Sequence, residues 1–198
     1  MNKDLTLRVK AEFSHFSSYE LKKYEIVGRI AKKLNCQFHS GATRYALVFP
    51  KERLVFKFCY SGRKDYCVQE FQNYQTAKIY RVERCLLPVE LAFEIDGIKV
   101  FCQPMYTKCV GDMSNDEYDI VDRKIQHVPH KIYRKVRQGC YSAPPENWTK
   151  RAIQIYGKAF MKSFQLWTHD CCVDDLHSGN VGWLGKQPII IDYAGYDG

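Results

Sequence analysis

A series of short β-prone runs in the first half of the chain constrains the fold most. The runs occupy residues 45–49, 53–60, 89–95 and 98–102. Asp96-Gly97 lies between the last two runs, and this pair is a strong signal for a tight hairpin turn. Gln103-Pro104 then ends the last run, because proline interrupts a strand. The pattern predicts antiparallel strands joined by short turns.

Apolar residues that recur every three or four positions predict helices over residues 17–34, 66–82 and 148–168. Ser17 and Glu20 have the spacing of a capping box at the start of the first helix. Basic residues occupy the positions of that helix outside its apolar stripe: Lys22, Lys23, Arg29, Lys32 and Lys33. This face is either solvated or a docking surface for an acidic partner.

The predicted helices and strands, together with the remaining segments, indicate the α+β fold class. Residues 107–147 are polar and irregular, and we expect a partly helical insertion there. A loop over 169–180 precedes two short strands at 181–184 and 188–192. The sheet-rich part covers residues 1–103, and a mostly helical part covers residues 104–198.

The composition predicts a globular chain with a real core, since 45% of its 198 residues are hydrophobic. The net charge of +8 favours anionic partners. Nucleic acid is not expected as a partner, because the basic residues are scattered and no binding motif is present. No apolar stretch suits a membrane span or a signal peptide. Nine cysteines without a Cys-x-x-Cys pair predict a reduced, cytoplasmic protein.

One lysine occupies an unusual position. Within the run 53–60, strand alternation places Val55, Lys57 and Cys59 on one face. A lysine between apolar neighbours in mid-strand is expected to meet an anion. The structural alternative is that Lys57 extends to the sheet edge and that Glu70, thirteen residues later, is a surface helix residue.

Three polar residues near the C-terminal end form the second candidate site. Asp175 and Asn180 are five residues apart on the loop, and Asp192 closes the last predicted strand. One carboxylate can orient and deprotonate an attacking hydroxyl, while an amide oxygen and a second carboxylate hold Mg²⁺ against nucleotide phosphates. The alternative is that all three residues serve as turn-formers.

These motifs resemble those of the protein-kinase-like superfamily. The run Asp175-Leu176-His177-Ser178-Gly179-Asn180 resembles its catalytic loop, and Asp192-Tyr193-Ala194-Gly195 stands where its Asp-Phe-Gly motif would be. The sequence of the Asp175–Asn180 motif most resembles that of small bacteriophage Ser/Thr protein kinases, and it is also similar to that of aminoglycoside and choline kinases. The resemblance implies a two-lobed fold with a small N-terminal sheet lobe, a reduced helical C-terminal lobe, and ATP in the cleft between them.

The resemblance also implies roles for residues of the sheet-rich part. Lys57 would contact the α and β phosphates, and Glu70 would be its ion-pair partner. Val55 would cover the adenine, because it shares a face with Lys57. Gly41 and Ala42 occupy the position of the glycine-rich loop, in a degenerate form with one glycine, where backbone N–H groups could cradle phosphates.

Further roles follow for the hinge and the catalytic loop. Gln103 and Met105 would lie at the hinge that binds adenine through its backbone. Asp175 would be the catalytic base, while Asn180 and Asp192 would hold Mg²⁺. His177 is expected to brace the loop by hydrogen bonding.

The implied function is an ATP- and Mg²⁺-dependent Ser/Thr kinase acting on proteins, including host proteins in the host cytoplasm. Two departures keep alternatives open. Asp174 replaces the usual arginine before the catalytic aspartate, and six residues follow Asp192. These departures leave three interpretations: a miniature kinase, a fragment of a kinase, or a protein that keeps the nucleotide site for another purpose. Small-molecule phosphotransfer and a pseudokinase-like binding module are the alternative functions.

Overall fold

A computed structural model describes residues 2–61, 64–106, 108–109, 144–173 and 175–194, with residues 108–109 described by their backbone alone. It confirms a mixed α+β chain. Packing divides the chain into two units. The first comprises Met1–Phe71 and Pro88–Met105, and the second comprises Gln72–Leu87 and Tyr106–Gly198. The units therefore interleave in sequence, unlike the contiguous division at residue 103. Most of the predicted insertion, Asp174 and Gly195 lie outside the described residues.

In the part of the chain that the structure describes, the first unit contains three helices, five strands and the start of a fourth helix. They are α1 (Lys3–Phe13), α2 (Ser18–Leu21), α3 (Tyr24–Leu34), β1 (Gln37–Ser40), β2 (Arg44–Phe49), β3 (Leu54–Cys59), α4 (Tyr66–Tyr80), β4 (Glu90–Ile95) and β5 (Ile98–Pro104). The strands form one antiparallel sheet in the order β1-β2-β3-β5-β4. Helix α4 passes from the first unit into the second at residue 72.

One face of this sheet packs against α1 and α3 in an apolar core. Phe56 and Phe58 of β3 are fully buried on this face, and Phe13 of α1 meets the ring of Phe58 edge-on at 5.1 Å. Residues of β3 alternate between the faces, so Val55 and Lys57 lie on the opposite side. The aromatic core therefore fixes which face of the sheet carries the lysine.

The predicted hairpin is confirmed. Asp96 and Gly97 both have positive φ angles, 48° and 77°, as a two-residue turn between twisted strands requires. Strand β5 nevertheless continues through Gln103 to Pro104, so the prediction that this pair ends the strand is wrong. Beyond Cys102 the strand pairs with β3 alone, and such an edge position tolerates proline.

The predicted helix over 17–34 consists of two helices. The capping box of Ser17 and Glu20 is present, but α2 ends at Leu21. Lys23 is extended, and the Tyr45 hydroxyl donates a hydrogen bond to the carbonyl of Lys22 at 3.1 Å, so a tertiary contact satisfies the interrupted backbone. Tyr24, for which the three- and four-residue apolar repeat predicts burial, is 57% exposed. The sequence patterns also missed α1.

The second unit contains α5 (Glu146–Tyr156), α6 (Lys158–Asp170), β6 (Lys108–Cys109), β7 (Val181–Leu184) and β8 (Gln187–Ile190). The strands form a sheet in the order β6-β7-β8. The two predicted C-terminal strands are confirmed, but the second ends at Ile190, so Asp192 follows the strand and does not close it. Trp148 of α5 is fully buried, and its indole N–H lies 3.1 Å from the carbonyl of Ile189 and 3.3 Å from that of Gly182. These bonds attach α5 to the β7–β8 hairpin.

The single helix predicted over 148–168 is divided into α5 and α6 by Gly157. Its φ of 84° and ψ of 165° belong to a region that glycine adopts and other residues avoid. Helical periodicity continues across this position, which explains why the sequence pattern missed the break. None of the helices in the described part of the chain is long and apolar enough to cross a membrane.

We expect Gly157→Ala to lower the free energy of unfolding by about 1–3 kcal/mol, because alanine is strained at this backbone conformation. An added Cβ would meet nothing within 4 Å, so the cost arises from the backbone and not from a clash. Gly28→Ala, within α3, is the matched control and should raise stability by about 0.5–1 kcal/mol. Thermal and urea unfolding measure both. Equal effects of the two substitutions would contradict the backbone explanation.

Candidate functional site

Lys57 lies on the sheet face opposite the aromatic core, in the central strand β3. It is paired with Ala46 of β2 and Phe101 of β5. Its Nζ lies 3.5 Å from Oε1 of Glu70, whose side chain is 1% exposed on α4. Glu70 is therefore buried and paired, so the alternative that it is a surface residue is wrong. The two residues that the sequence spacing singled out meet in an ion pair.

Arg44 provides a second cation for the same carboxylate. Its Nη1 lies 3.1 Å from Oε2 of Glu70, so the two oxygens of Glu70 face different cations. Burying a carboxylate without a partner is costly, and Arg44 and Lys57 offset that cost from two adjacent strands. The sequence patterns did not indicate Arg44, because it is the first residue of β2. Strand alternation was the signal that could have found it, since Arg44 and Ala46 lie two apart and Ala46 is paired with Lys57.

The loop between β1 and β2 is closed by its own hydrogen bonds. The backbone N–H of Gly41 donates to the carbonyl of Arg44 at 2.9 Å. The Tyr60 hydroxyl lies 2.8 Å from the carbonyl oxygen of Gly41 and 2.9 Å from that of Ala42. The N–H of Gly41 is thus used within the hairpin. The Gly41 N–H is therefore not available to a phosphate in this conformation, and the phosphate-binding role of the other backbone N–H groups of the loop stays a prediction.

Beyond Lys57, on the side away from Arg44, the same sheet face carries apolar side chains and one amide side chain. Val55 is opposite Val48 on β2 and opposite Gln103 on β5, so the three side chains lie side by side. The side chain of Gln103 is 2% exposed, and its Oε1 has no hydrogen-bond partner within the described part of the chain. A buried acceptor of this kind suits a donor from a ligand.

Met105 differs from its expected role. Its backbone N–H donates to the carbonyl of Arg53 at 2.8 Å, which extends the β3–β5 contact beyond the end of the ladder. This N–H is therefore committed to the protein. A base bound near Met105 would have to use other backbone groups.

In the second unit, Asn180 holds the loop that carries Asp175. Its Nδ2 donates to the backbone carbonyl of Asp175 at 2.8 Å and lies 3.3 Å from Oδ2 of the same residue. The carbonyl of Asn180 accepts from the N–H of Ile191 at 2.8 Å and from that of Asp192 at 3.3 Å. Asn180 therefore brings Asp175 and Asp192, the two predicted carboxylates, to the same part of the unit.

The residue after Asp192 is firmly anchored. Tyr193 is buried, and its hydroxyl donates to the carbonyl of Leu87. Asn73 Nδ2 donates to the carbonyl of Tyr193 at 2.8 Å, and Trp167 Nε1 donates to the carbonyl of Asn73 at 3.1 Å. This chain of neutral hydrogen bonds fixes the backbone beside the Asp192 carboxylate.

His177 braces the loop, as expected. Its Nδ1 accepts a hydrogen bond from the N–H of Gly179 at 2.9 Å, and its Nε2 lies 3.7 Å from Oδ2 of Asp175. A Cβ on residue 179 would lie 2.7 Å from Cε1 of this ring. Glycine at this position therefore allows the imidazole to lie against the loop backbone.

A separate cluster in the first unit has the residue types of a metal site. Ligand atoms of Cys59, Asp65 and Cys67 all lie within 4.8 Å of one another. The carboxylate of Asp65, however, accepts from the N–H groups of Cys67 and Val68 at the start of α4. The Sγ atoms of Cys59 and Cys67 lie 3.7 Å apart, and this contact together with burial raises the pKa of the Cys67 thiol. We interpret this cluster as structural packing.

We expect Glu70→Gln to lower the free energy of unfolding by about 3–5 kcal/mol, because both cations lose their buried counter-charge. Glu12→Gln is the matched control. It removes an ion pair of 2.7 Å with the exposed Lys33 in the same unit, and it should cost less than about 1 kcal/mol. Urea unfolding of the two variants measures the difference. A loss for Glu70→Gln no larger than the control's would show that the buried carboxylate is not needed by its partners.

The structure thus brings together two sets of the predicted residues, each within one unit. In the first unit Lys57 meets Glu70, with Val55 and Gln103 on the same sheet face. In the second unit Asn180 hydrogen-bonds Asp175 and the backbone of Asp192. Comparisons of the chain with protein-family models, with curated proteins and with solved structures gave no match.

Proposed function

We propose that this protein is an ATP- and Mg²⁺-dependent phosphotransferase with a two-lobed, protein-kinase-like fold, which transfers the γ-phosphoryl group to Ser/Thr hydroxyls of other proteins. The observation that carries the proposal is the ion pair of Lys57 with the buried Glu70, Nζ to Oε1 at 3.5 Å. A lysine held by a carboxylate in mid-sheet, beside an apolar face, is suited to orient the phosphates of a nucleotide.

The first unit offers groups for each part of the nucleotide. Lys57 would contact the α and β phosphates, and Glu70 would keep it in place. Val55 and Val48 form an apolar surface for a flat base. Gln103, with its buried acceptor oxygen, could accept a hydrogen bond from an exocyclic amine.

The oxygen donors of the second unit fit Mg²⁺. Because Nδ2 of Asn180 is bound to Asp175, Oδ1 is the amide atom that can serve a cation. Asp192 supplies a carboxylate from the adjoining backbone, and hard oxygen ligands are those that Mg²⁺ prefers. Bound there, the ion would neutralise phosphate charge and align the phosphates for transfer.

Asp175 is assigned as the catalytic base. Its side chain is 32% exposed, so a hydroxyl of a second molecule can reach it. Asn180 fixes its backbone and carboxylate, which limits the orientations that the carboxylate can adopt. Positioning of the attacking hydroxyl is the main service that such a base provides in phosphoryl transfer. A protein acceptor, rather than a small molecule, is supported by the resemblance of the loop to phage kinases.

We expect the protein to transfer label from γ-labelled ATP to lysate proteins in the presence of Mg²⁺. Asp175→Asn should lower the rate by about 10²–10⁴-fold, the usual contribution of a positioned base. Lys57→Met should also reduce transfer, and excess EDTA should abolish it. Asp4→Asn is the matched control, because Asp4 is exposed on α1, and its activity should equal that of the wild type.

Three outcomes would contradict this proposal in different ways. Label that appears on a small metabolite alone would replace the protein acceptor with a small molecule. Nucleotide binding without transfer would favour a pseudokinase-like binding module. Transfer that survives Asp175→Asn unchanged would remove Asp175 from the catalytic role.

A further inference from the structure

Arg44 and Lys57 share one buried carboxylate from neighbouring strands. The guanidinium lies 3.1 Å from Oε2 of Glu70, and the ammonium lies 3.5 Å from Oε1. Two cationic side chains thus face this carboxylate. Both cations are partly exposed, whereas the carboxylate between them is buried. An anion that approaches this face meets two positive groups that are already held in place.

The positions along β3 place these groups in a definite order. Val55, Lys57 and Cys59 share a face, and Arg44 lies opposite Cys59 in the strand register. Residues two apart in a strand are separated by about 6.6 Å. Arg44 therefore lies about one such step beyond Lys57, on the side away from Val55. If the base lies over Val55 and the first phosphates at Lys57, the terminal phosphate falls at Arg44.

In the loop before β2, the backbone N–H of Gly41 is not available to this terminal phosphate. The Gly41 N–H is bonded to the carbonyl of Arg44, and Tyr60 holds the carbonyls of Gly41 and Ala42. Arg44 stands at the end of this loop, as the first residue of β2, and its guanidinium carries N–H donors.

We propose that Arg44 is a phosphate-binding residue that contacts the β and γ phosphates of a nucleoside triphosphate. A guanidinium has five N–H donors in a planar fork, so it can hold a carboxylate oxygen and phosphate oxygens at the same time. Arg44 thereby makes the site selective for a triphosphate over a monophosphate. The nucleotide as ligand rests on the proposed function, whereas the anion site rests on the geometry of Arg44, Lys57 and Glu70.

The test is calorimetric binding in Mg²⁺-free buffer, where the cations of the protein alone face the phosphates. The probes are ATP, AMP, adenosine and inorganic tripolyphosphate. Arg44→Gln should weaken binding of ATP and tripolyphosphate by about 10- to 100-fold, as expected for one or two lost charge-assisted hydrogen bonds. The affinities for AMP and adenosine should change less than about twofold, because these ligands lack the β and γ phosphates that Arg44 would contact.

Two further variants make the result specific. Arg8→Gln removes the same charge from an exposed position on α1 and should leave all four affinities unchanged. Arg44→Lys keeps the charge beside Glu70 but loses the fork, and it should bind ATP at an intermediate strength. Far-ultraviolet circular dichroism and thermal unfolding check that each variant is folded. If Arg44→Gln does not fold, Arg44→Lys provides the same comparison.

The outcomes separate this inference from the proposed function. Wild-type protein that transfers phosphate while Arg44→Gln and Arg44→Lys bind ATP as tightly as the wild type would overturn the role of Arg44 and leave the kinase proposal intact. Wild-type protein that binds tripolyphosphate through Arg44 but transfers no label would support the anion site and refute the kinase. A wild type that binds neither ATP nor tripolyphosphate would overturn both.

Discussion

The buried carboxylate of Glu70 is the interaction on which the arrangement of the first unit depends. It lies on α4 and takes a cation from β2 and another from β3, so it joins the helix to two strands at once. A buried charge is tolerated where partners compensate its desolvation, and here two cations face one carboxylate. Both cations are partly exposed, whereas the carboxylate is buried. The same three side chains thus form a structural ion pair and the anion-binding surface that we propose.

The two faces of the sheet divide the tasks of folding and function. Phe56 and Phe58 point into the aromatic core, and their burial fixes the register and orientation of β3. Lys57, which lies between them in sequence, is thereby forced to the other face. A slip of one residue would exchange the lysine with an aromatic ring and would place a charge in the core. The energy that holds the core together thus also determines where the cation lies.

The sequence could predict those features that short-range patterns encode. Alternation in β3 indicated the face of Lys57, Asp96-Gly97 indicated the hairpin, and the spacing of Asp175 and Asn180 indicated their meeting. It could not predict features that depend on distant partners. The break at Lys23 relies on a hydrogen bond from Tyr45, and Arg44 gains its importance from a carboxylate on α4. Helical periodicity likewise continues through Gly157, whose backbone conformation is invisible to an apolar pattern.

The two sets of candidate residues are positioned by different kinds of interaction. Charges position Lys57 and Arg44, whereas neutral hydrogen bonds to backbone carbonyls position the loop around Asn180 and the segment at Tyr193. Ion pairs adapt when another anion competes for the cation, because the carboxylate and a phosphate make similar bonds to it. Neutral bonds to backbone groups offer no such exchange. The cationic set can therefore shift its bonds between Glu70 and a ligand, while the carboxylates of the second unit keep a fixed scaffold. Under the proposed phosphotransferase function, this division would let the phosphates be received and released while the groups assigned to act on them stay in place.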